Sequence, residues 1–421
     1  MVWYVRPFVG LRPVPENAEN IVAPPTDVLI GDKAAARLGS NSDSFIKVLR
    51  PDIEYSKENI PDKYTLYKKS KEHFDQMIEK GLLIKEKTPC YYIYRLASSN
   101  NQHSQTGIVA CIDIKAYEIN DIKNHELTYP ERVDERADQM DTIDAQIGPI
   151  FVSHKRSKNL DRYLKTYSYG PAQYDFTTPG GTRHMLWVID NDEKIKALSK
   201  AFSDDVTEMF ICDGHHRAAA MEKISSVRKH KNPNHSGDEI YNRLMVISFP
   251  DDQVQILSYN RIVADLAGMS VDEFLSAIDI DFYVEETHKP FQPTDKRSFG
   301  MFLNNKKWYK LTLKRSRGSS LHFTDQLSIN ILQENLLEPV LKIQDPRFDQ
   351  RLGFIGGKLG LQELENQVIK QNAAAAFSLA PVTMREIMDC ARHAEVMPAK
   401  STWFEPKPAD GMISLILSDK I

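Results

Sequence analysis

The sequence has few cysteines, and their spacing gives them no structural role. Four occur among 421 residues, at Cys90, Cys111, Cys212 and Cys390, and none belongs to a CxxC pair. This scatter excludes a zinc ribbon and a disulfide scaffold. We therefore expect four reduced thiols and a cytoplasmic location.

Long apolar stretches and a strong charge bias are also missing. No apolar run approaches the ~20 residues that span a membrane, and no such run follows a basic start, so we expect no membrane partner and no signal peptide. The formal net charge of −4 gives no general reason to expect nucleic-acid binding. Hydrophobic residues at 41% and charged residues at 27% are typical of a soluble globular protein.

Several familiar catalytic motifs are absent as well. The sequence contains neither GxSxG nor HExxH, and it has no Walker loop of the form GxxxxGK[ST]. The glycine-rich segment RLGFIGGKLG (351–360) resembles a phosphate loop only weakly, because its glycines and lysine do not have that spacing.

The length of the chain is enough for two or three domains. We predict an N-terminal segment over 1–88, with a proline turn and a helix, and a core of strands and helices over 89–265. A C-terminal mixed α/β domain is expected over 266–421, mainly helical from Leu327 onward. Apolar runs such as CYYIYRL (90–96) and GIVACIDI (107–114) predict the strands of the core.

The most informative segment is FICDGHHR, residues 210–217. Its first half is apolar and predicts a buried strand, and the alanine-rich residues after it predict a helix. An acid, a glycine, two histidines and an arginine occupy the turn. The unpaired N–H groups and positive dipole end of a helix suit an anion, especially phosphate, and Arg217 can add a bidentate clamp.

A purely structural interpretation of this segment stays open. Asp213 can act as a helix N-cap, which is worth about 1 kcal/mol, with Gly214 as a turn residue. A cap requires neither His215 nor His216, so we favour a role in anion binding or catalysis. Cys212, at the end of the apolar run, is interpreted as a small buried hydrophobe.

A second polar segment, NHELTYPERVDER (124–136), predicts a loop that leads into a charged helix. His125 or Glu126 can act as a general base if it lies within ~3 Å of a substrate hydroxyl. Taken alone, these residues are explained equally well by a solvated helix face.

The segment IVAPPTDVL (21–29) contains two prolines that stiffen a turn. Thr26 and Asp27 follow them and can cap a helix or contact a ligand, although a rigid structural turn is the favoured interpretation.

The segment MPAKSTWFEPK (397–407) lies near the C-terminal end of the chain. Lys400, Ser401 and Thr402 offer a phosphate one positive charge and two hydroxyl groups. An ordinary polar tail explains these residues equally well.

These segments together resemble a known family. IVAPPTDVL, HELT, IGPIF, RHMLW, FICDGHHRAAAM and MPAKSTWFEPK are similar, in this order, to motifs of a widespread bacterial family long uncharacterised. That family looks related to the ParB/sulfiredoxin-like superfamily and resembles its free serine kinases. DGHHR is the most specific motif. The chain departs from the family at Thr26 and Ala218, where tyrosine is more common.

The resemblance implies a mixed α/β (α+β) fold with a ParB/sulfiredoxin-like core. It also implies that Asp213 orients the substrate or a Mg²⁺ ion, and that a glutamate from an earlier loop takes the proton from the substrate hydroxyl. Glu126 matches that glutamate best and Glu131 second, with His125 as a further catalytic residue. The expected phosphate ligands are Gly214, His215, His216 and Arg217, with Lys400, Ser401, Thr402 and Lys407 on a more distant phosphate; Thr128, Thr26 and Asp27 are expected to contact the substrate.

We therefore expect a kinase that converts free L-serine to O-phospho-L-serine. Pyrophosphate, ADP or ATP is the expected phosphoryl donor and Mg²⁺ the cofactor, in a monomer or homodimer without a nucleic-acid partner. One alternative is a non-catalytic nucleotide-binding regulator of the ParB type. Another is a sulfiredoxin-like redox enzyme, which needs a nucleophilic cysteine where this chain has His215 and His216.

Overall fold

The computed structural model describes residues 5–25, 39–99, 103–315, 322–370 and 373–419. These residues form two compact units. The first contains the described chain up to Asn124, Thr128–Val254 and the chain from Pro406 onward, and the second contains His125–Leu127 and Gln255–Glu405. The described N-terminal segment and the last described residues belong to the same unit as DGHHR. The division into three domains at residues 88 and 265 stays a prediction.

An eight-stranded mixed sheet forms the centre of the first unit. Its spatial order is β3-β7-β4-β8-β2-β1-β6-β5, with parallel pairs at β3/β7 and β4/β8 and antiparallel pairs elsewhere. The strands are β1 (Tyr91–Ser98), β2 (Ser104–Asp113), β3 (Ile122–Lys123), β4 (Ile150–His154), β5 (Tyr174–Thr177), β6 (Thr182–Ile189), β7 (Met209–Asp213) and β8 (Arg243–Pro250).

Among the described residues, five longer helices accompany this sheet, and shorter elements connect them. The helices are α1 (Lys63–Glu79), α2 (Pro130–Ile143), α3 (Lys158–Tyr167), α4 (Asp192–Asp205) and α5 (His215–Lys231). The shorter helical segments are Pro15–Asn17, Ala18–Ile21, Ile46–Leu49, Pro51–Glu54, Lys57–Asn59, Lys115–Glu118 and Ile240–Asn242, and the shorter strands are Leu11–Pro13, Leu83–Lys85, Ala145–Gln146 and Leu415–Ile416.

Strand β1 shows how the two faces of the sheet are used. Successive side chains of a strand point to opposite faces. Tyr91 and Ile93 belong to the main apolar core, which helices α2 to α5 help to enclose. The hydroxyls of Tyr92 and Tyr94 instead accept hydrogen bonds from the backbone N–H groups of Gly10, at 3.0 Å, and Ala409, at 3.4 Å. The second face is therefore crossed by the two ends of the chain.

The second unit is built on a six-stranded antiparallel sheet in the order β10-β12-β11-β14-β9-β13. Its strands are β9 (Tyr259–Val263), β10 (Phe282–Thr287), β11 (Ser298–Leu303), β12 (Trp308–Leu313), β13 (Leu352–Gly356) and β14 (Ala375–Ser378). Its helices are α6 (Val271–Ile278), α7 (Gly360–Lys370) and α8 (Met384–Arg392), with shorter helical segments at Phe323–Gln326, Ser328–Leu332, Gln333–Leu337 and Gly357–Leu359 and a strand pair at Ile256–Leu257 and Trp403–Phe404.

The structure confirms the mixed α/β class and differs in one detail of the C-terminal part. The stretch after Leu327 was expected to be mainly helical, yet it supplies two strands of the sheet. The alanine run that enters β14 has high helix propensity. Ala375 and Ala376 are nevertheless fully buried between β9 and β11, where tertiary packing overrides local propensity.

No helix in the described part of the chain combines the length and the apolar character needed to cross a membrane.

His154 is a titratable residue that lies wholly inside the first unit. His154, at the end of β4, is fully buried, with its Nδ1 atom 2.7 Å from the Ser248 hydroxyl and its ring packed against Phe202. Burial lowers the pKa of His154 to about 4, and the charge of Asp251 opposes this only in part. His154 is therefore neutral in the folded protein at neutral pH.

We expect acid to destabilise the first unit through His154. The unfolded chain binds a proton on this histidine near pH 6.5, whereas the folded chain binds it only near pH 4, so protons favour unfolding between those values. The free energy of unfolding in urea should fall by about 2 kcal/mol between pH 7 and pH 5 from this group. His154→Gln should remove that part of the pH dependence, and the exposed control His288→Gln should retain it. An unaltered pH dependence in His154→Gln would contradict the assignment.

Candidate functional site

The predicted strand–turn–helix junction is present in the first unit. Strand β7 ends at Asp213, helix α5 begins at His215, and Gly214 between them has φ +95° and ψ +26°. This left-handed conformation costs little for glycine alone. The Asp213 carboxylate does not cap the helix, because it accepts hydrogen bonds from Lys407 and Arg217 instead. The simple N-cap interpretation is therefore excluded.

A β-bulge directs Asp213 away from the apolar core. Strand β7 pairs Ile211 with Val152 and then Asp213 with Phe151, so Cys212 is an extra residue in the ladder. Without it, Asp213 would pair with Ile150, which belongs to the same apolar core as Ile211. Bulges re-aim side chains at the ends of strands, and this one makes a charged residue tolerable at the end of a buried strand.

Two cations hold the Asp213 carboxylate. Lys407 Nζ lies 3.1 Å from Oδ1, and Arg217 Nη2 lies 3.1 Å from Oδ2. Burial raises the pKa of Asp213, but the positive charges of Lys407 and Arg217 outweigh it and hold that pKa well below its usual range. Asp213 is therefore a fixed carboxylate at neutral pH.

Arg217 joins three parts of the first unit. Besides Asp213, its Nη1 atom donates to the Pro149 carbonyl at 2.9 Å and lies 3.8 Å from Asp410 Oδ1. Gly148, the neighbour of Pro149, leaves room for this contact, because a Cβ there would collide with Asp410 Oδ1 and lie 3.1 Å from Arg217 Nη1. The expectation that Arg217 clamps a phosphate stays a prediction; here its guanidinium organises the protein.

The residues from Pro406 onward are fixed by backbone contacts. Gln105 Nε2 donates to the Pro406 carbonyl at 3.0 Å, and Tyr94 accepts from the Ala409 N–H at 3.4 Å. Asp410 exchanges two backbone hydrogen bonds with Ala23, at 2.9 and 3.1 Å. This path places Lys407 and Asp410 beside the DGHHR turn.

The start of helix α2 lies against the start of helix α5. The Tyr129 N–H donates to His216 Nε2 at 3.2 Å, and the two rings are nearly parallel, 6.1 Å apart. Arg132 covers the Tyr129 ring at 5.4 Å. Thr128 precedes Tyr129 in the loop, and His215 is buried. The structure thus connects the end of the HELT segment to DGHHR.

In the second unit, the first residue of the HELT segment contacts residues on both sides of the KST motif (400–402). His125 is buried, its ring lies 6.5 Å from Phe404, and its carbonyl accepts from the Met397 N–H at 2.9 Å. His125 and Met397, which lie 272 positions apart in the sequence, are therefore neighbours in the second unit.

The KST residues themselves have partners within the second unit. The Ser401 hydroxyl donates to the Pro398 carbonyl, and the Lys400 carbonyl accepts from Arg261 Nη1 at 3.1 Å. Lys400 Nζ lies 5.5 Å from the centre of the Tyr259 ring. Their expected contact with a phosphate stays a prediction. Lys358 of the glycine-rich segment is paired with Glu405 at 2.6 Å.

Some site residues were missed or lie outside the structure. Thr26 and Asp27, expected to contact the substrate, fall outside the described residues. Lys407 contacts Asp213, which the sequence did not predict, and its expected contact with a distant phosphate stays a prediction. Asp410 was missed, although it follows the KST motif closely and is flanked by small residues. No local pattern pairs either residue with a turn so distant in the chain.

The residues at Asp213 do not fit a Mg²⁺ ion. Protein-bound Mg²⁺ needs accessible carboxylate oxygens, usually one or two carboxylates that act with substrate phosphates. Each Asp213 oxygen instead already accepts a hydrogen bond from a cationic group, Lys407 or Arg217, and these two positive charges oppose the binding of a further cation. Within the described ranges, no cluster of three or more histidine, cysteine or acidic side chains can hold a metal.

Comparisons with known proteins identify a family and distant likenesses. The family described as "Protein of unknown function (DUF1015)" matches residues 5–337. No curated protein gives a significant match. A conserved hypothetical protein from Pyrococcus furiosus has a TM-score of 0.35 and 13% identity, with 74% of this chain and 97% of that chain covered.

Two further solved structures are similar at the same level. A free serine kinase in complex with AMP has a TM-score of 0.35 and 11% identity, covering 70% of this chain and 86% of its own. SbnI with C-terminal truncation, from Staphylococcus aureus, has a TM-score of 0.38 and 12% identity, covering 72% and 85%. Likenesses this distant carry no conclusion about activity.

We expect Gly148→Ala to disturb the ion network. The added methyl group must displace the Asp410 carboxylate and press on Arg217, and overpacking of this kind costs about 1–3 kcal/mol. The free energy of unfolding in urea measures the loss. Gly180→Ala is the matched control, because a Cβ there meets no described atom within 4 Å. Equal stability of the two variants would contradict the role given to Gly148.

Proposed function

The chain belongs to the DUF1015 family, and we propose that it is a small-molecule kinase that transfers a phosphoryl group to the hydroxyl of free L-serine. The product is O-phospho-L-serine, and the donor is pyrophosphate or a nucleotide, ADP or ATP. One observation carries the proposal: at the DGHHR turn a helix N-terminus directly follows a carboxylate that two cations, Arg217 and Lys407, hold in place. The sequence resemblance to the free serine kinases supports the choice of acceptor.

The start of helix α5 supplies the phosphate site of the proposal. Its first N–H groups have no partner within the helix, and its dipole is positive at that end. Gly214 exposes the backbone there because it has no side chain. In this proposal His215 and His216 complete the phosphate site, and Arg217 keeps the turn in shape through Asp213 and Pro149.

The proposed chemistry needs alignment and charge neutralisation more than covalent help. Asp213 remains ionised beside Lys407 and Arg217, so it can orient the substrate through hydrogen bonds. The serine hydroxyl loses its proton to a base as its oxygen forms a bond to the terminal phosphorus of the donor. The bond from that phosphorus to the bridging oxygen breaks, and the remaining phosphate or nucleotide leaves with its electrons.

We propose Glu126 as the base. It precedes Tyr129 by three residues, so the length of the chain keeps its Cα within about 11 Å of the Tyr129 Cα. Tyr129 in turn stacks on His216. Thr128, with Thr26 and Asp27, is proposed to contact serine, and Lys400, Ser401 and Thr402 the distant phosphate. His125 is buried against Phe404 and is proposed to hold the loop in place.

A donor screen tests the proposed function. The purified full chain is incubated with L-serine and Mg²⁺ and with pyrophosphate, ADP or ATP in turn, and O-phosphoserine is measured by mass spectrometry. We expect product with one of these donors. Absence of product with all three would refute the kinase, and nucleotide binding without turnover would favour the alternative of a nucleotide-binding regulator.

We expect Glu126→Gln to lower kcat by about a hundredfold or more, since loss of a general base removes that much rate. The fold should be unaffected, because the substitution keeps the size of the side chain, and the thermal midpoint of unfolding checks this. Glu131→Gln, an exposed residue in the first turn of α2, is the matched control. Wild-type turnover in Glu126→Gln would remove Glu126 from the mechanism, and a loss confined to Glu131→Gln would transfer the role there.

A further inference from the structure

The guanidinium of Arg217 is held by groups of the protein on several sides. Its Nη1 and Nη2 atoms already donate to the Pro149 carbonyl and to Asp213. Its Nε side lies against Gly214, since a Cβ on that glycine would be 3.1 Å from Nε. Arg217 is therefore committed to groups of the protein that shape the turn.

Arg136, in the second turn of helix α2, is bonded differently. Its Nη1 atom donates to the neutral side-chain oxygen of Gln139 at 3.0 Å. Among the described residues, no carboxylate lies within 4 Å of its guanidinium. Burial lowers the pKa of Arg136, the nearby charge of Arg217 lowers it further, and the negative charges of Asp410 and Glu135 oppose them in part. A partly buried cation beside another cation favours a bound anion.

The packing of helices α2 and α5 places Arg136 near the phosphate site. Tyr129 contacts His216, Asp134 pairs with Lys223 at 2.7 Å, and Asp141 pairs with Arg228 at 2.7 Å. The contacts advance in the same direction along both helices, so the helices run parallel and their N-termini lie side by side. Two positive dipole ends therefore lie together, and Arg136 is near enough to Arg217 and Asp410 to feel the charges of both.

We propose that Arg136 binds the phosphate groups of the donor, while Arg217 is a positioning residue that holds Asp213 and Pro149. This inference rests on the proposed function, because it adds a ligand-binding residue to the same site.

The test measures binding of inorganic pyrophosphate to the full chain by isothermal titration calorimetry. Arg136→Met removes the charge and should raise Kd at least tenfold, whereas Arg136→Lys should restore most of the affinity. Arg95→Met is the matched control. Arg95 is also partly buried, and it donates to the neutral hydroxyls of Thr106 and Ser168, so its loss changes the net charge equally and should leave Kd unaltered.

A second variant keeps Arg136 in place. Gln139→Glu puts a carboxylate next to the guanidinium, so it should maintain the thermal midpoint of unfolding and still raise Kd for pyrophosphate. A structural role for Arg136 predicts unchanged binding in this variant. Wild-type affinity in both Arg136→Met and Gln139→Glu would overturn the inference and leave the proposed function intact. Absence of pyrophosphate, ADP and ATP binding to the wild-type chain would overturn both.

Discussion

The ion pair between Lys407 and Asp213 joins two parts of the chain 194 positions apart. Lys407 is almost fully buried, and Asp213 stands at the end of a buried strand. Removing one partner of such a pair leaves an uncompensated charge and costs about 3–5 kcal/mol. The turn at Gly214 and the contacts of Arg217 depend on this pair, because Arg217 reaches the second oxygen of the same carboxylate.

The sheet of the first unit provides the framework that makes this pair possible. Tyr92 and Tyr94 present hydroxyls on the face opposite the apolar core, and these hydroxyls bind backbone from the two ends of the chain. The residues after Pro406 thereby acquire a defined path, with Lys407 and Asp410 at defined positions. A bulge at Cys212 then turns Asp213 toward them. Polar atoms of the scaffold therefore position the charged groups of the site.

Several expectations from the sequence hold because they depend on local patterns. An apolar run, a glycine and an alanine-rich stretch are enough to predict β7, the turn and α5 around DGHHR. The second unit shows the opposite case. An alanine run with high helix propensity forms the buried strand β14 there, because small side chains fit between β9 and β11. Propensity decides structure only where tertiary packing leaves a choice.

The sequence by itself determined the junction and the residue types that suit a phosphate, since both depend on neighbours a few positions apart. Only the tertiary structure decided which groups meet there. Arg217 bonds Pro149, 68 positions away, and Asp213 bonds Lys407. Those partners follow from the order of the strands and the path of the chain end. A local sequence pattern does not predict that order, because each contact joins segments that are far apart in the sequence and that only the whole fold brings close in space.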